Sequence, residues 1–478
     1  MKNRFLKNVS FMSAGTLFKF FLAFISTAVY IRIIGTSGYA VLGIVLSLFG
    51  ILNRFDIPHY LSLVKYKAGN SNNYQKIYHT LFNSILITDL IFIFVALPLT
   101  YYLSASVYEI QGLWIMYIIA LVVFIFDRLS SFITDFVRSN RHESLIQRSI
   151  VPSITLEFII ALVLLFSTNL GVMAIFIGKL AGSFVKLAII FYYADSKFIK
   201  YKASFSFKLF MTALKQYSFQ HYLSKILTGI IIWGGLFIST FFLETKPLGI
   251  LTIFISVVLM LREFSYSFID HIIPIYAYFI KKKNKIKLQQ IINHAHNLLL
   301  VGFFFSIIFV LTIGRKLFTI YFGQEMQGTY FLFLLLITSA LVWICFLPWQ
   351  YLVFVYSIRI HTFAFCIVSL LFVSLLLPII WAPHLNIVVI AYMAAYLAIP
   401  VIFLYISSRI FKIKISKEST INSFIALLFM LAVSFLGRTS FSFVTGSIIF
   451  VLLAAVLLLL YYKKIRNIFR FLASEMES

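Results

Sequence analysis

Apolar runs of roughly 20 residues recur from one end of the chain to the other, separated by short polar turns, and runs of that length cross the hydrocarbon core of a bilayer as helices. The pattern predicts an all-α polytopic membrane protein with about 14 transmembrane helices, at 9–31, 38–55, 77–102, 111–135, 147–168, 170–194, 218–242, 248–270, 291–313, 329–355, 361–381, 386–408, 421–436 and 441–462. Breakers sit in several connections, such as Gly35 with Gly38, Asn169 to Gly171, Lys246 with Pro247, and Pro383, so sequential spans are expected to run antiparallel. The longest polar connection, about 194–217, is too short for a folded soluble domain. Function therefore falls to the helices and their short loops.

Two short stretches repeat at one offset. KNVSF at 7–11 returns as KQYSF at 215–219, and Arg54 in LNRFD returns as Arg262 in LREFS, each 208 residues later. The shared offset aligns spans 1 and 2 with spans 7 and 8 in the same orientation, as in parallel repeats related by an axis along the membrane normal. The expected organisation is an N-lobe at 1–195 (helices 1–6), a cytoplasmic linker at 196–217, a C-lobe at 218–410 (helices 7–12), and helices 13–14 with a basic tail at 411–478.

Charges interrupt the apolar pattern in places that matter. Lys19 sits ten residues into the first run, near the bilayer midplane, where a lysine costs roughly 2.5–3.5 kcal/mol on insertion scales. At about 100° per residue its face carries Gly15, Thr16, Ala23, Ser26 and Tyr30, while Leu17, Phe21 and Phe24 lie opposite. Span 7 repeats the arrangement with Ser218, His221, Tyr222, Lys225, Thr228 and Gly229. Span 6 lines up Lys179, Gly182, Ser183 and Lys186, and span 4 lines up Asp127, Ser131, Thr134, Asp135 and Arg138. Arg32, Arg54 and Lys186 lie near enough to span ends to snorkel. For Lys19 and Lys225 a water-filled cavity explains the depth better. Asp127 with Arg128 and Arg262 with Glu263 are candidate neutralising pairs, and Asp89 and Glu157 fit a buried neutral carboxyl or a proton relay equally well.

Composition agrees with the pattern: the 478 residues are 62% hydrophobic and 12% charged, with a mean hydropathy of +1.00. The net charge of +25 would fit nucleic-acid binding, but most of the 40 Lys and Arg fall in the N-terminus, the even-to-odd loops and the C-terminus, including KKKNKIK at 281–287. Only Lys246, Arg315, Lys316 and Arg438 fall on the other side. This alternation is the positive-inside rule, places both termini in the cytoplasm, and leaves no reason to invoke nucleic acid. Cys345 and Cys366 lie inside expected helices and read as buried free thiols. HExxH, GxSxG and GxxxxGK[ST] are absent, and His294 and His296 point to opposite faces of a helix, so neither a metal site, a catalytic residue nor an ATP-driven pump is indicated. Secondary transport through a cationic cavity is the remaining class.

Several stretches carry a family likeness: IRIIGTSGYAVLGIVLSL at 31–48, FDIPHYLSLVKYKA at 55–68, TDFVRSNRH at 134–142, SFSFKLFMTALKQYSF at 204–219 and KLFTIYFGQEMQGTYFLFLLL at 316–336. Over nearly its whole length the chain resembles the polysaccharide-export flippases, the O-antigen flippase or Wzx type, of the multidrug/oligosaccharidyl-lipid/polysaccharide (MOP) exporter superfamily. It departs at 382–395, where APHLNIVVIAYMAA replaces the Gly-rich turn of many members.

The resemblance implies two six-helix lobes plus an extra helix pair, and alternating-access movement of undecaprenyl-pyrophosphate-linked oligosaccharide (O-antigen repeat) units across the bacterial inner membrane. It also implies a non-enzymatic role, no cofactor beyond a proton or sodium counter-ion, and contact with a polysaccharide polymerase and chain-length machinery in lipopolysaccharide biosynthesis. A hydrated cationic chamber suits a pyrophosphate headgroup. The expected substrate contacts are Lys19, Arg54, Lys179, Lys225 and Arg262, and the expected ion-coupling groups are Asp89, Asp127 and Asp135. Rival readings are a lipid II or capsule/teichoic unit flippase and, from another class, a membrane-bound polysaccharide polymerase.

Overall fold

In the computed structural model the described residues are 2–55, 63, 74–139, 143–197, 205–215, 219–269, 272–413, 451 and 453. Expected span 13, all of span 14 except 451 and 453, and most of 55–68 lie outside them. Among the described residues the chain is helical almost throughout, and eleven helical stretches are long and apolar enough to cross a membrane. The first of these, Leu17–Phe55, has 39 residues, about 58 Å of helix, which is enough for two crossings. It lies mostly within α1 (Lys2–Leu52), whose helical geometry is broken at one residue, Gly35, with φ 66. A side chain at that φ would be strained, and glycine supplies it freely. The Tyr39 hydroxyl donates to the Thr27 carbonyl at 3.2 Å, although twelve residues of straight helix would separate them by about 18 Å. The chain folds back on itself there, so expected spans 1 and 2 are a hairpin whose turn is Gly35. Most described residues of the first twelve expected spans thus fall on helix.

The remaining elements are α2 (Tyr74–Tyr102), α3 (Leu113–Ser139), α4 (Glu143–Ser167), α5 (Val172–Lys197), α6 (Phe207–Ala213), α7 (Phe219–Gly229) and α8 (Gly235–Phe242). After them come α9 (Thr245–Ile269), α10 (Ile273–Lys281), α11 (Lys285–Phe309), α12 (Arg315–Phe322), α13 (Tyr330–Cys345), α14 (Leu347–Tyr356), α15 (Ile358–Leu376) and α16 (Leu385–Arg409). The chain forms two compact units, Met1–Thr240 and Phe241–Ser478.

Within the first unit, α4 and α5 form an antiparallel pair. A Cβ on Gly178 would stand 2.6 Å from the Glu157 carbonyl oxygen and 2.8 Å from the Ala161 Cβ, and one on Gly182 would stand 2.8 Å from the Ser153 carbonyl oxygen. Residues 178 to 182 read GKLAG, a GxxxG motif that brings two backbones together without side chains between them. Helix α1 packs on α4 in parallel, because Gly15 lies under Gln147 while Tyr30 meets Phe158 at 6.4 Å. Helices α2 and α3 are antiparallel, with Phe92 on Phe124 at 5.6 Å and Tyr78 on Phe136 at 4.3 Å. Leu63, Tyr78, Phe132, Phe136, Leu145, Ile190 and Ala213 share one buried apolar cluster. That cluster gathers the ends of α2, α3, α4 and α5 that the charge pattern assigns to one side of the membrane, and α6 packs onto it.

In the second unit, α9 and α13 run parallel, with Phe254 on Phe333 at 5.2 Å and Arg262 over Trp343. Helices α15 and α16 run antiparallel, with Phe365 on Phe403 at 5.4 Å and Phe372 on Tyr392 at 5.0 Å. Each direction agrees with simple alternation of the spans.

The structure corrects the expected pattern in three places. The stretch 329–355 is two helices, broken at Phe346, because Pro348 lacks an amide hydrogen and its ring disfavours helix in the residue before it. His296 Nδ1 meets the Cys345 carbonyl at the break, 2.8 Å away, and so satisfies a helix-end acceptor. The linker at 196–217 contains α6, whose N-terminus is capped by Ser206 accepting from the Leu209 amide at 3.4 Å. The polar connection after α9 holds a further helix, α10, and Asn284 caps α11 by accepting from the Lys287 amide at 3.1 Å.

Because Gly178 faces backbone rather than a movable side chain, Gly178→Leu should destabilise the protein by about 1–3 kcal/mol or more through overpacking. Thermal unfolding of purified protein in detergent should show a lowered midpoint. An unchanged midpoint would contradict the close α4–α5 contact.

Candidate functional site

A helix carrying a charge into a bilayer needs a second helix to receive it, and the first unit supplies four. On α1 the face holding Lys19 turns inward, with Gly15 and Tyr30 buried, whereas Phe21 is 61% exposed and Leu17 and Phe24 are exposed with it. On α5, Lys179, Gly182, Ser183 and Lys186 form one stripe. Ser183 donates to Asp127 Oδ1 on α3 at 3.0 Å.

Glu157 on α4 is where these charges meet. Its Oε2 lies 3.3 Å from the position a Cβ on Gly182 would take. Gly182 stands one turn from Lys179 on one side and one turn from Lys186 on the other, so the carboxylate faces the stripe between two lysines. Lys179, Lys186 and Lys19 lie within electrostatic reach of it, as does Asp127. Three cations and two carboxylates from four helices therefore share one region, with cations in excess.

A second grouping lies at the junction of α1 and α7. The Trp233 ring packs on Gly50, and the Arg54 side chain lies across Gly229, so close that no side chain could be added there. Lys225 is one turn before Gly229, with His221 one turn earlier still, and Lys225 acts electrostatically on His221. Immediately after Gly229 the helix widens into a π-helical stretch, Ile230–Gly234, a feature that recurs at functional positions. Arg54 and the Lys225 stripe are thereby side by side in the first unit.

The other expected residues are placed differently. Arg262 belongs to the second unit, is 8% exposed, and donates from Nε to the Tyr266 hydroxyl at 2.8 Å. Its guanidinium stands 4.5 Å from the Tyr266 ring centre and 5.1 Å from that of Trp343, with Tyr396 stacked on Trp343 at 5.1 Å. Aromatic faces rather than the adjacent Glu263 surround the charge. Asp135 is half-buried on α3, two turns beyond Asp127.

Asp89 pairs with Arg128, both 4% exposed. Arg128 also donates to Thr88 at 3.0 Å and stacks over Phe92 and Phe124. The candidate pair Asp127 with Arg128 is thus replaced by a pair between helices, because neighbours on one helix face apart.

Lys19, Lys179 and Asp127 are each half-buried on the faces that helical periodicity singled out, whereas Glu157 had no special position in the sequence pattern. The GKLAG motif was the available signal, since close approach at Gly182 is what brings the carboxylate onto the lysine stripe.

No protein-family model and no curated protein sequence matches the chain. Solved structures share its fold. Lipid II flippase MurJ in an inward closed conformation matches with a TM-score of 0.69 at 15% identity, over 95% of this chain and 99% of that one. The MATE multidrug transporter DinF-BH matches with a TM-score of 0.61 at 14% identity over 85% and 97%. An inward-facing multidrug resistance MATE family transporter of the MOP superfamily matches with 0.55 at 11% over 91% and 95%. The chain is a multi-pass membrane protein with the fold of MOP-superfamily transporters.

Removing one member of a buried ion pair strands the other. Arg128→Leu is therefore expected to destabilise the protein by about 3–5 kcal/mol, while the double variant Asp89→Leu, Arg128→Leu recovers most of the loss. A thermal-unfolding double-mutant cycle checks this, and additive losses would show that the pair does not act as a unit.

Proposed function

We propose that the protein is a flippase that moves undecaprenyl-pyrophosphate-linked oligosaccharide units, of the O-antigen repeat type, from the cytoplasmic to the outer leaflet of the inner membrane by alternating access. One observation carries this reading: Lys179 and Lys186 share the α5 stripe that packs on Glu157 of α4, and Lys19 of α1 lies within electrostatic reach of the same carboxyl, as does Asp127. An excess of cations inside a membrane repels cationic drugs and favours a multiply charged anion. A pyrophosphate headgroup has that charge, while its polyprenyl tail stays in lipid. Lysines bind such a group as mobile point charges, without the fixed bidentate geometry of arginine, and so can pass it on.

Lys19, Lys179 and Lys225 are the proposed headgroup contacts, with Arg54 beside Lys225 and Arg262 as a separate cation in the second unit. Asp127 is the proposed ion-coupling group, since it touches both the lysine stripe, through Ser183, and the field of Glu157. Asp135 is the next candidate on the same helix. Asp89 is better read as the structural partner of Arg128. The basic loops support an orientation with both termini in the cytoplasm. Both a polymerase and chain-length machinery would act on the product at the far leaflet.

A lipid II flippase is the second reading, favoured by the likeness to MurJ. Both substrates have an anionic headgroup on a lipid tail, so the same lysines would serve.

Reconstitution with fluorescently labelled lipid-linked oligosaccharide tests the class and the substrate together. Wild-type protein should move the label between leaflets, and Lys19→Ala combined with Lys179→Ala should lower the rate tenfold or more with reconstitution yield unchanged. Undiminished flipping by the double variant would remove the lysines from the mechanism. Faster movement of lipid II than of the oligosaccharide unit would favour the second reading.

A further inference from the structure

The connection between α10 and α11 concentrates charge on a rigid corner of the second unit. Residues 281–287 read KKKNKIK, five lysines in seven positions, and no Asp or Glu occurs anywhere in 271–324. Hydrogen bonds at both helix ends build the turn. The Asn284 amide donates to the Phe279 carbonyl and the Lys283 amide to that of Ile280, each at 3.1 Å, which closes α10 in a Schellman motif, and the Asn284 side chain caps α11. The left-handed position of that motif, usually glycine, is Lys283 with φ 54. A charged side chain thus stands where a glycine would cost less.

Lys281, Lys282, Lys283 and Lys285 are exposed. Lys282 Nζ lies 4.4 Å from the centre of the Tyr278 ring, and no carboxylate among the described residues pairs with the other three. Among these cations Ile286 is 75% exposed, and Tyr278 is exposed beside them. Depth explains the combination. Lys285 is the first residue of α11, itself long and apolar enough to cross a membrane, so the corner sits at headgroup level, where a lysine meets lipid phosphate and an isoleucine reaches the acyl boundary.

We propose that this corner is a docking site for anionic phospholipid, in which Lys281, Lys282, Lys283 and Lys285 hold the phosphates of the leaflet that the loop charges assign to the cytoplasm, and Ile286 inserts between the chains. The inference is independent of which lipid-linked substrate the protein carries. An acidic protein would satisfy the lysines and leave the isoleucine without a role, whereas a leaflet satisfies both. Because the caps already fix the turn, docking needs little further ordering of the backbone. The contact would tie the corner between expected spans 8 and 9 to the membrane surface.

An environment-sensitive fluorophore on Ile286→Cys, in a background lacking Cys345 and Cys366, tests the site in phosphatidylcholine vesicles with or without about one-third phosphatidylglycerol. Emission should shift to the blue, and quenching by nitroxide-bearing lipid should rise about twofold or more, only when the anionic lipid is present. Lys281→Gln, Lys282→Gln, Lys283→Gln and Lys285→Gln together should abolish both changes. The same number of substitutions in the basic tail, Lys414→Gln, Lys417→Gln, Lys463→Gln and Lys464→Gln, should leave them in place. Protein that keeps Ile286 gives a second reading, since spin-labelled phosphatidylglycerol should associate with it about twofold more than with the corner glutamine variant.

Equal fluorescence in both lipids with equal association of the spin-labelled lipid would overturn the inference. Equal losses in the corner and tail variants would overturn it too, by reducing the effect to net charge. A label that stays in water beside phosphatidylglycerol and moves only when polyglutamate is added would assign the corner to an acidic protein instead.

Discussion

The cost of holding charge inside a membrane governs this structure. A lone lysine or carboxylate at helix-centre depth is expensive, and an ion in a dry interior is tolerated only when paired, hydrogen-bonded or reached by water. The intramembrane charges meet those conditions in different ways. Arg128 is neutralised by Asp89 and boxed by phenylalanines. Asp127 takes the Ser183 hydroxyl. Arg262 is held by a tyrosine hydroxyl and aromatic faces. Glu157 and the three lysines around it form a grouping whose charges do not cancel.

Compensation requires helices close enough for side chains to reach across, and glycines provide that approach. Gly178 and Gly182 bring α4 onto α5, Gly15 receives Gln147, and Gly50 and Gly229 receive Trp233 and Arg54. Without the first pair the Glu157 carboxylate would stand away from the lysine stripe, and without Gly229 the Arg54 stem could not cross α7. Packing and electrostatics are thus one problem with one solution, and the residues that solve it for the fold also line the proposed anion site. The MOP-type fold supplies the scaffold that transporters of several kinds share, while the surplus of lysines gives this chain its own chemistry.

Most of the architecture was legible from the chain because span length, loop charge and breakers act locally. The alternation of Lys and Arg among loops agrees with the helix directions fixed by contacts such as Tyr30 with Phe158 and Phe254 with Phe333. The inward turn of Lys19 followed from helical periodicity alone. What escaped depended on distant partners or on single residues overriding a pattern. Asp89 finds Arg128 across 39 positions, a distance no periodicity spans. Pro348 splits an apolar stretch that otherwise reads as one helix, and Gly35 turns the first hairpin without any loop. Glu157 was visible only as an ambiguous carboxyl, since its position follows from the approach of α5.

The central claim is that the lysines of the first unit face a hydrated site that accepts an anionic lipid headgroup, rather than snorkelling to the membrane surface. Reaction of a membrane-impermeant thiol reagent with Lys179→Cys and Lys19→Cys, each in a background lacking Cys345 and Cys366, tests it most directly. The account predicts labelling at both positions and protection when undecaprenyl-pyrophosphate-linked oligosaccharide is added. Labelling at neither position, or labelling that the lipid-linked sugar leaves unchanged, would contradict it.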